Sequence, residues 1–447
     1  MTAQSPPVAR ARMRPSLKAE LVLAGVVLAN LVVVEVLFFT AGTGKNTVLT
    51  VAKFFGLHAA LIMMIQLVLV ARLPWLDRRL GMDRLTAWHR VTGITLAWTV
   101  VTHATLVIVG YARLDSAPIF ATFLGLAGVV DSLLGMCAAT ILFVVVLLSS
   151  RFARRRMSYE AWHAIHLGLY LAVLIAIVHQ ALEGTTFASS VFAAVYWWTL
   201  WGLVLLAFVV GRIVTPIRRN ARHQFRVAAV VPESDDVTSV YVTGRDLHRL
   251  PARAGQFCIW RFPDHNRWWQ ANPFSLSAAP DGRVLRLSAK AVGTTSAGLR
   301  GLQVGSRVLV EGPYGAFTTL QQTSNAALLI AGGIGVTPIR SLLEEIRVPT
   351  IVIYRVRSMA DAVLLRELDW LARRCGAQLR VLAGRTGSGN PPIPPFDAYH
   401  LAAMVPDIVH RDVYVCGPGA MTAAVLRSVR ELGVPRSQIH AERFGLG

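Results

Sequence analysis

Long apolar runs dominate the first half of the chain. Crossing about 30 Å of hydrocarbon takes roughly 20 apolar residues in a helix. Six runs meet this length, at 20–40, 54–72, 88–110, 128–149, 161–182 and 191–213. No convincing small-residue cleavage site follows the first run, so we interpret it as a retained helix and not as a signal peptide. The pattern predicts a six-helix transmembrane bundle over 20–215, after an N-terminal tail at 1–19.

The pattern changes after Pro216 to short apolar segments separated by turns. Segments at 225–231, 238–243, 256–261, 284–289 and 307–311 predict an antiparallel β-barrel over 216–321. From about 322, strands alternate with helical segments, with strands at 326–331, 350–354 and 413–415 and a helix at 339–346. This alternation predicts a Rossmann-like α/β domain over 322–447. The fold class is therefore a multidomain protein, with a transmembrane bundle followed by two further domains.

The charges support a membrane protein and predict its orientation. Only 16% of the residues are charged, against about 25% in average soluble domains. Four basic clusters fall on one side of the predicted bundle; they contain Arg10, Arg12, Arg14 and Lys18, then Arg72, Arg78, Arg79 and Arg84, then Arg151, Arg154, Arg155 and Arg156, then Arg212, Arg218 and Arg219. The other loops carry only Lys45, Lys53 and Arg113. We therefore expect an integral protein of the plasma (inner) membrane with both termini in the cytoplasm, and no nucleic-acid partner.

Six histidines lie within the predicted spans, where polar side chains are costly and usually functional. They are His58, His89, His103, His163, His166 and His179. His89 and His103 are fourteen residues apart, which is about 21 Å along a helix and nearly one face. Because spans three and five run in the same direction, His89 is expected to meet a histidine at the inner level, and His103 to meet His179 at the outer level.

Two stacked bis-histidine haem b sites follow from these pairs. Periodicity does not choose between His163 and His166, because neither ring leaves the helix on the face of His179. The alternative is that the histidines form hydrogen bonds between helices. For His58, packing or a contact with a haem propionate is at least as plausible as ligation, and we assign no role to Glu35 or Asp131.

Four segments of the second half have the chemistry of a flavin and dinucleotide module. Segment 272–277 combines a proline, an aromatic ring and hydroxyls that suit a flavin ring. Segment 290–296 opens a short helix after a glycine turn, where free N–H groups and Lys290 suit a phosphate. Segments 332–338 and 416–421 each follow a strand and contain glycines, as in the turn that approaches a pyrophosphate.

The chain resembles the ferric reductase and NADPH oxidase family over about residues 20–447. The histidine spacings of 14 and 13, the four segments above and the Ala441-Glu442-Arg443-Phe444 ending carry this resemblance. It implies a six-helix, two-haem membrane domain fused to a ferredoxin-reductase-like dehydrogenase that binds FAD and NAD(P)H.

The resemblance also implies roles for individual residues. The implied haem ligands are His89, His103, His166 and His179. The implied FAD contacts are Pro273, Phe274 and Ser275 at the isoalloxazine and Lys290, Gly293 and Ser296 at the phosphates. The implied dinucleotide contacts are Gly332, Gly333, Gly335, Thr337 and Pro338, with Cys416, Gly417 and Pro418 on the second turn. Phe444 is expected to stack on the flavin, and we expect Ser275, Cys416 and Phe444 to be the catalytic residues.

This sequence departs from the family pattern at two places. Asn272 stands where relatives often have His or Arg, and three residues follow Phe444, where many oxidases end. Arg355 and Arg357 follow the second strand of the α/β domain, and Arg385 lies on a later loop. They suit the 2′-phosphate of NADPH, although solvated surface arginines would explain them too.

The predicted function is a transmembrane NAD(P)H oxidoreductase. Electrons would pass from cytoplasmic NADPH through FAD and two haems to a small acceptor on the outer face. The outer loops, at about 41–53, 111–127 and 183–190, are short and hold no cluster of Fe³⁺ ligands. Oxygen, reduced to superoxide, is therefore favoured. The alternatives are a ferric-chelate reductase and a cytochrome b donor to a partner protein.

Overall fold

The computed structural model describes residues 15–154, 156–157, 159–187, 189–263, 270, 272–390, 392 and 395–442. These residues form two compact units. The membrane unit contains 17–73 and 83–212, and the dehydrogenase unit contains 74–82 and the residues from 213 onwards. Phe444, which we predicted to stack on the flavin, lies outside the described residues.

Helices build the first half of the chain. They are α1 (Pro15–Thr40), α2 (Thr47–Val70), α3 (Pro74–Leu80), α4 (Met82–Leu114), α5 (Ile119–Ala127), α6 (Val130–Leu148), α7 (Arg151–Arg154), α8 (Tyr159–Glu183) and α9 (Val191–Val209). A π-helical turn, Val210–Val214, leads from α9 into α10 (Thr215–His223).

The six predicted spans are present. Among the described residues, six helices are long and apolar enough to cross a bilayer: Leu17–Thr40, Thr47–Val70, Arg84–Leu114, Val130–Leu148, Ala161–Glu183 and Val191–His223. The second helix begins seven residues before its predicted start at 54, because Asn46 caps it by accepting from the Leu49 N–H at 2.8 Å. Lys53 is tolerated inside it because its Nζ donates to the carbonyl oxygens of Ala41 and Gly42, at 3.3 and 3.0 Å.

The first part of the dehydrogenase unit contains six antiparallel strands and one short helix. They are β1 (Arg226–Pro232), β2 (Val237–Thr243), β3 (Phe257–Arg261), β4 (Asn272–Ser275), β5 (Val284–Lys290), α11 (Thr294–Gly298) and β6 (Leu309–Tyr314). The strands pair in the orders β1-β2-β5 and β4-β3-β6.

These strands do not close into the barrel that the sequence predicted. They form two three-stranded sheets, joined by the isolated bridges Arg226–Arg307 and Leu276–Leu287. Strand β4 is an edge strand and contains Pro273, which has no N–H to extend a ladder. The predicted multidomain arrangement itself is confirmed.

The second part of the dehydrogenase unit is a parallel α/β sheet. In chain order its elements are β7 (Ala327–Gly332), α12 (Val336–Glu345), β8 (Thr350–Val356), α13 (Leu365–Cys375), β9 (Gln378–Ala383), α14 (Ala398–Met404), β10 (Asp412–Cys416), α15 (Gly419–Glu431) and β11 (Ile439–Glu442). The sheet order is β11-β10-β7-β8-β9, with every pair parallel. Because β7 and β10 are neighbours, the glycine turns after them lie side by side at the carboxyl edge.

Helix α3 packs within the dehydrogenase unit, although it lies between two membrane spans in sequence. Leu76 and Leu80 are buried, and the Asp77 side chain is completely buried. The Asp77 carboxylate accepts the Gly315 N–H at 2.8 Å. The sequence had shown this stretch only as a basic loop.

Candidate functional site

The outer histidine pair has the geometry of metal ligands held in position by the backbone. The Nδ1 of His103 lies 2.8 Å from the Ala52 carbonyl oxygen, and the Nδ1 of His179 lies 2.8 Å from the Asp131 carbonyl oxygen. Because a carbonyl only accepts, each Nδ1 carries a proton, and Nε2 is the ring nitrogen that could bind a metal. A hydrogen bond from the other ring nitrogen to a carbonyl is the usual device that orients a metal-binding histidine.

Two glycines make room for these rings. A Cβ added at Gly56 would lie 2.8 Å from the His103 ring, and one added at Gly135 would lie 2.9 Å from the His179 ring. Real Cβ atoms do not approach other atoms so closely, so only glycine allows α2 and α6 to pack directly on the two rings. The sequence predicted both histidines but neither glycine.

The inner pair consists of His89 and His166. Their ring centroids are 6.1 Å apart. If a metal lay between two imidazoles, each metal–nitrogen bond would be about 2 Å and each nitrogen would lie about 1 Å from the centre of its ring. The two ring centres would then be roughly 6 Å apart. Both Nδ1 atoms are buried and have no hydrogen-bond partner among the described residues. Because the ring that lies beside His89 is that of His166, the geometry favours His166 over His163.

The residues of both pairs therefore fit a haem, and their role as ligands remains a prediction.

The structure also pairs His58 with Glu35, whereas the sequence had left the role of His58 open. His58 donates from Nδ1 to the Phe54 carbonyl at 2.8 Å, and its Nε2 lies 3.1 Å from a Glu35 oxygen. His58 and Glu35 are therefore hydrogen-bond partners between α2 and α1.

The predicted flavin residues lie along β4 and at the start of α11. Pro273 is exposed, Phe274 is half-buried and Ser275 is buried. The Asn272 amide donates to the Trp260 carbonyl at 3.2 Å, so at this position the side chain anchors the strand.

The glycine turn before α11 is organised by its own serine. Ser296 Oγ accepts the N–H groups of Val292 and Gly293, at 3.0 and 3.1 Å. Lys290 pairs with Asp236 at 2.9 Å, and this hydrogen bond lowers the pKa of Asp236. A phosphate at this turn would have to compete with Ser296 and Asp236 for their partners. The assignment of Lys290, Gly293 and Ser296 to FAD stays a prediction.

A buried polar network that the sequence did not indicate adjoins β4. Arg286, with only 4% of its side chain exposed, donates to Ser277 and forms two 2.9 Å hydrogen bonds with the Glu367 carboxylate. Arg340 also donates to Glu367, at 2.9 Å. The network links the strands of the flavin part to α12 and α13 of the nucleotide part. A single buried arginine carries no periodic signal, so no pattern along the chain indicated it.

At the carboxyl edge of the parallel sheet, three of the predicted glycines are required by close packing. A Cβ on Gly335 would lie 2.2 Å from the Cys416 carbonyl oxygen, and one on Gly332 would lie 2.6 Å from Met421. A Cβ on Gly417 would lie 3.0 Å from the Gly332 backbone. The two turns therefore meet backbone to backbone, and their N–H groups lie at one edge.

The other predicted dinucleotide residues surround this edge. Gly333 has a positive φ of 51°, and Thr337 and Pro338 are buried in the first turn of α12. Thr337 Oγ1 donates to the Ile334 carbonyl at 3.0 Å. Pro418 precedes α15 directly. Cys416 is fully buried at the end of β10.

Arg355 lies at the end of β8 and is partly buried. Its Nη2 donates to Thr386 at 2.9 Å, while its Nη1 is buried without a hydrogen-bond partner among the described residues. Burial lowers the pKa of this guanidinium. Arg357 is exposed two residues further on. An unpaired buried guanidinium nitrogen at a strand end suits a ligand anion.

Comparison with known proteins supports the interpretation of both halves of the chain. Residues 55–177 match the family model of the ferric reductase like transmembrane component, and residues 222–318 match that of an FAD-binding domain. The chain is 26% identical to the glycine betaine monooxygenase reductase subunit of Chromohalobacter salexigens over 256 residues, which is 52% of this chain and 67% of that protein. It is 30% identical to the flavohemoprotein of Chromobacterium violaceum over 256 residues, 49% of this chain and 60% of that protein.

Among solved structures, the FAD/NAD-binding domain of the nitric oxide dioxygenase from Vibrio cholerae is similar. Its TM-score is 0.43 at 26% identity, covering 50% of this chain and 99% of that one. The two family matches show that the chain joins a ferric-reductase-like membrane domain to a ferredoxin-reductase-like FAD domain. It is an integral membrane flavin oxidoreductase.

Proposed function

We propose that the protein passes electrons from cytoplasmic NADPH, through FAD and two b-type haems, to a small acceptor outside. The observation that carries this proposal is the pair of bis-histidine sites, at which both outer rings have their Nδ1 bound to a carbonyl and face a glycine. FAD would take up a hydride and release single electrons, and bis-histidine haem would relay them one at a time.

The chain's own residues would hold the two haems and determine the level of the membrane at which each one lies. His89 and His166 would hold one haem at one level of the membrane, and His103 and His179 would hold the other haem at the second level. The Ala52 and Asp131 carbonyls fix the tautomers of the outer pair. Each pair of histidines would hold one haem between them, and the outer haem would supply single electrons to an acceptor that does not itself bind to the iron.

The nucleotide binds where the two glycine turns meet. The backbone N–H groups after β7 and β10 approach its pyrophosphate, and the turns exclude side chains there. Arg355, at the end of β8, would bind the 2′-phosphate, which favours NADPH over NADH. The basic clusters support a cytoplasmic location for this half and for both termini, with the protein in the plasma (inner) membrane.

Oxygen is the favoured acceptor. Among the described residues, the structure has no group of three or more His, Cys, Asp or Glu side chains that could hold a metal ion. This supports a small diffusible acceptor such as oxygen over a ferric chelate that needs a pocket of its own.

The acceptor is tested by following NADPH oxidation in air and under argon. We expect turnover in air with a signal from cytochrome c that superoxide dismutase suppresses. Faster turnover under argon with a ferric chelate, and no suppressible signal, would establish a ferric-chelate reductase. Slow turnover with both would indicate a protein acceptor.

The haem ligands are tested by replacing single histidines with alanine. His103→Ala and His179→Ala should each remove the outer haem and leave the inner one. His166→Ala should remove the inner haem. His58→Ala and His163→Ala are the matched controls, because both change an intramembrane histidine and should leave two haems per chain. Two haems in the His103 and His179 double variant would refute the assignment.

A further inference from the structure

Two arginines hold a single residue, Ser277, between the flavin part and the nucleotide part of the dehydrogenase unit. Ser277 is the last residue of the predicted flavin segment 272–277 and is completely buried. Its carbonyl oxygen accepts Arg286 Nη2 at 2.7 Å and Arg340 Nη1 at 3.3 Å. Arg286 lies on β5 and Arg340 lies on α12, so the two guanidinium groups reach this carbonyl from different parts of the unit.

Every polar atom of Ser277 forms a hydrogen bond. Its N–H donates to the Arg286 carbonyl at 2.8 Å, and its Oγ accepts Arg286 Nε at 3.0 Å and the Ser288 hydroxyl at 2.8 Å. Because Ser277 is buried, a change in its position would leave polar groups without partners, which is costly. The network therefore fixes the place where the flavin segment ends.

The Glu367 carboxylate determines where both arginines lie. Its two oxygens each accept Arg286 Nη1 at 2.9 Å, and one of them also accepts Arg340 Nε at 2.9 Å. Arg340 Nη1 pairs in addition with Glu344, one turn further along α12, at 2.7 Å. A guanidinium group is planar and donates in fixed directions. Glu367 and Glu344 thus set the direction from which Arg340 reaches the Ser277 carbonyl.

Stability alone does not account for this arrangement. The side chains of Arg286 and Arg340 are only 4% and 8% exposed. Replacing buried ion pairs by apolar residues of similar volume is often neutral or stabilising. Compared with apolar packing, the two arginines add direction, because each N–H has to point at its acceptor. A network of this kind therefore suits a role in positioning.

The network lies between two predicted cofactor segments. Ser277 follows Ser275, an expected isoalloxazine contact, by two residues, and Arg340 follows Pro338, an expected dinucleotide contact, by two residues. Two residues span at most about 7 Å of extended chain and about 3 Å of helix. A shift at the contact between Ser277 and Arg340 would therefore move one cofactor segment relative to the other. When two reacting groups are misplaced by about 1 Å, the rate can fall roughly a hundredfold.

We propose that Arg286 and Arg340 are positioning residues for hydride transfer, which hold the flavin segment at a fixed distance from the nucleotide turn through Ser277. This inference rests on the proposed function, in which FAD and NADPH bind at these two segments. The step moves a hydride, which is one proton with two electrons, from C4 of the nicotinamide to FAD and leaves NADP⁺ and FADH⁻. The arginines act through Ser277 and touch neither cofactor. Their loss should slow this step without weakening the binding of either cofactor.

The test compares the full-length native protein with Arg340→Gln and Arg340→Lys. Arg340→Lys keeps the charge beside Glu344 and Glu367 but replaces the planar fork by a single ammonium group. NADPH oxidation is measured with excess ferricyanide as acceptor, using NADPH that carries hydrogen or deuterium at C4. In both variants we expect kcat to fall roughly ten- to a hundredfold and the KM for NADPH to stay near the native value. The deuterium isotope effect on kcat should rise, because a slower hydride step limits turnover.

Binding is measured without turnover, from the FAD content and from the difference spectrum that NADP⁺ produces in the flavin absorption. Both Arg340 variants should keep their FAD and show an altered difference spectrum. Arg373→Gln is the matched control, because Arg373 pairs with Asp369 at 2.7 Å on the exposed side of α13, outside the network. It should behave as the native chain does.

A native isotope effect and a native difference spectrum in both Arg340 variants overturn the inference, even if the variants are less stable. A raised KM with an unchanged kcat also overturns it and assigns Arg340 to nucleotide binding. Loss of FAD from both variants overturns it too and assigns the network to flavin binding. Oxidation of NADPH by the native chain tests the proposed function without any variant, so the two failures are distinguishable.

Discussion

The glycine that faces His179 allows a sharp test of the outer haem site. A Cβ at Gly135 would lie 2.9 to 3.0 Å from three atoms of the His179 ring. Ordinary contact requires about 3.5–4.0 Å, so in Gly135→Ala the ring or the helix must move by about 0.6 Å. Metal–ligand distances tolerate only about 0.2 Å, and the 2.8 Å hydrogen bond to the Asp131 carbonyl limits how the ring can turn away.

We therefore expect Gly135→Ala to lose the outer haem or bind it weakly, while the inner haem and FAD remain. Haem content per chain, from a pyridine haemochrome assay, and the reduced spectrum of the purified protein measure this. Gly202→Ala is the matched control, because it is also in a membrane helix and nothing lies within 4 Å of its added Cβ.

Alanine raises the intrinsic stability of a helix by about 1 kcal/mol over glycine. Helix propensity alone therefore predicts that neither variant is harmed. A Gly135→Ala protein with two haems and an unchanged spectrum would show that the outer ring is not held as a ligand.

Three further predictions concern the dehydrogenase unit. Arg355→Gln should raise the KM for NADPH roughly tenfold and leave that for NADH unchanged, as expected for one lost charge-assisted bond. Arg430→Gln, which removes the same charge from an exposed position at the end of α15, is the control, and equal effects of Arg355→Gln on both nucleotides contradict the role. Asp77→Ala leaves a buried N–H without its acceptor and should lower the free energy of unfolding by roughly 1–3 kcal/mol, measured by denaturant titration of FAD fluorescence; an unchanged midpoint contradicts this. Burial alone would raise the pKa of Glu367, but hydrogen bonds and charge, chiefly from Arg286, hold it below its ordinary value of 4.5. The ionised carboxylate therefore stabilises the unit at pH values above that one. This stabilisation is lost as the pH falls through the lower pKa of the folded protein. Glu367→Gln should therefore make the free energy of unfolding depend less on pH in the acid range.

Elements with a regular sequence pattern were predicted well, and short or polar ones were missed. The spans and the strands β7, β8 and β10 are continuous apolar runs. Strands β4, β9 and β11 were not predicted, since NPFS, QLRVLA and IHAE contain few apolar residues in regular alternation. The strands also do not close into the predicted barrel. Closure requires hydrogen-bonded ladders between the edge strands of the two sheets, and Pro273 has no N–H with which to extend such a ladder.

For the candidate site, the sequence identified most residue types but not how they are held. The spacing of His89 and His103 indicated two levels, and the glycine turns indicated a dinucleotide edge. Periodicity did not choose between His163 and His166; the family resemblance implied His166, and in the structure the His166 ring lies beside that of His89. No sequence pattern indicated the contact between Arg286 and Glu367, because the two residues come from the flavin part and the nucleotide part of the fold.

Hydropathy and spacing, which are local properties, determined by themselves that this chain crosses a membrane six times and ends in an α/β sheet. Tertiary structure decided which backbones approach which side chains. Gly56 and Gly135 matter because a ring from another helix lies against them, and Asp77 matters because its hydrogen-bond donor is 238 residues away. Such contacts depend on how the chain folds back on itself, and no pattern along the sequence records a distance between remote residues.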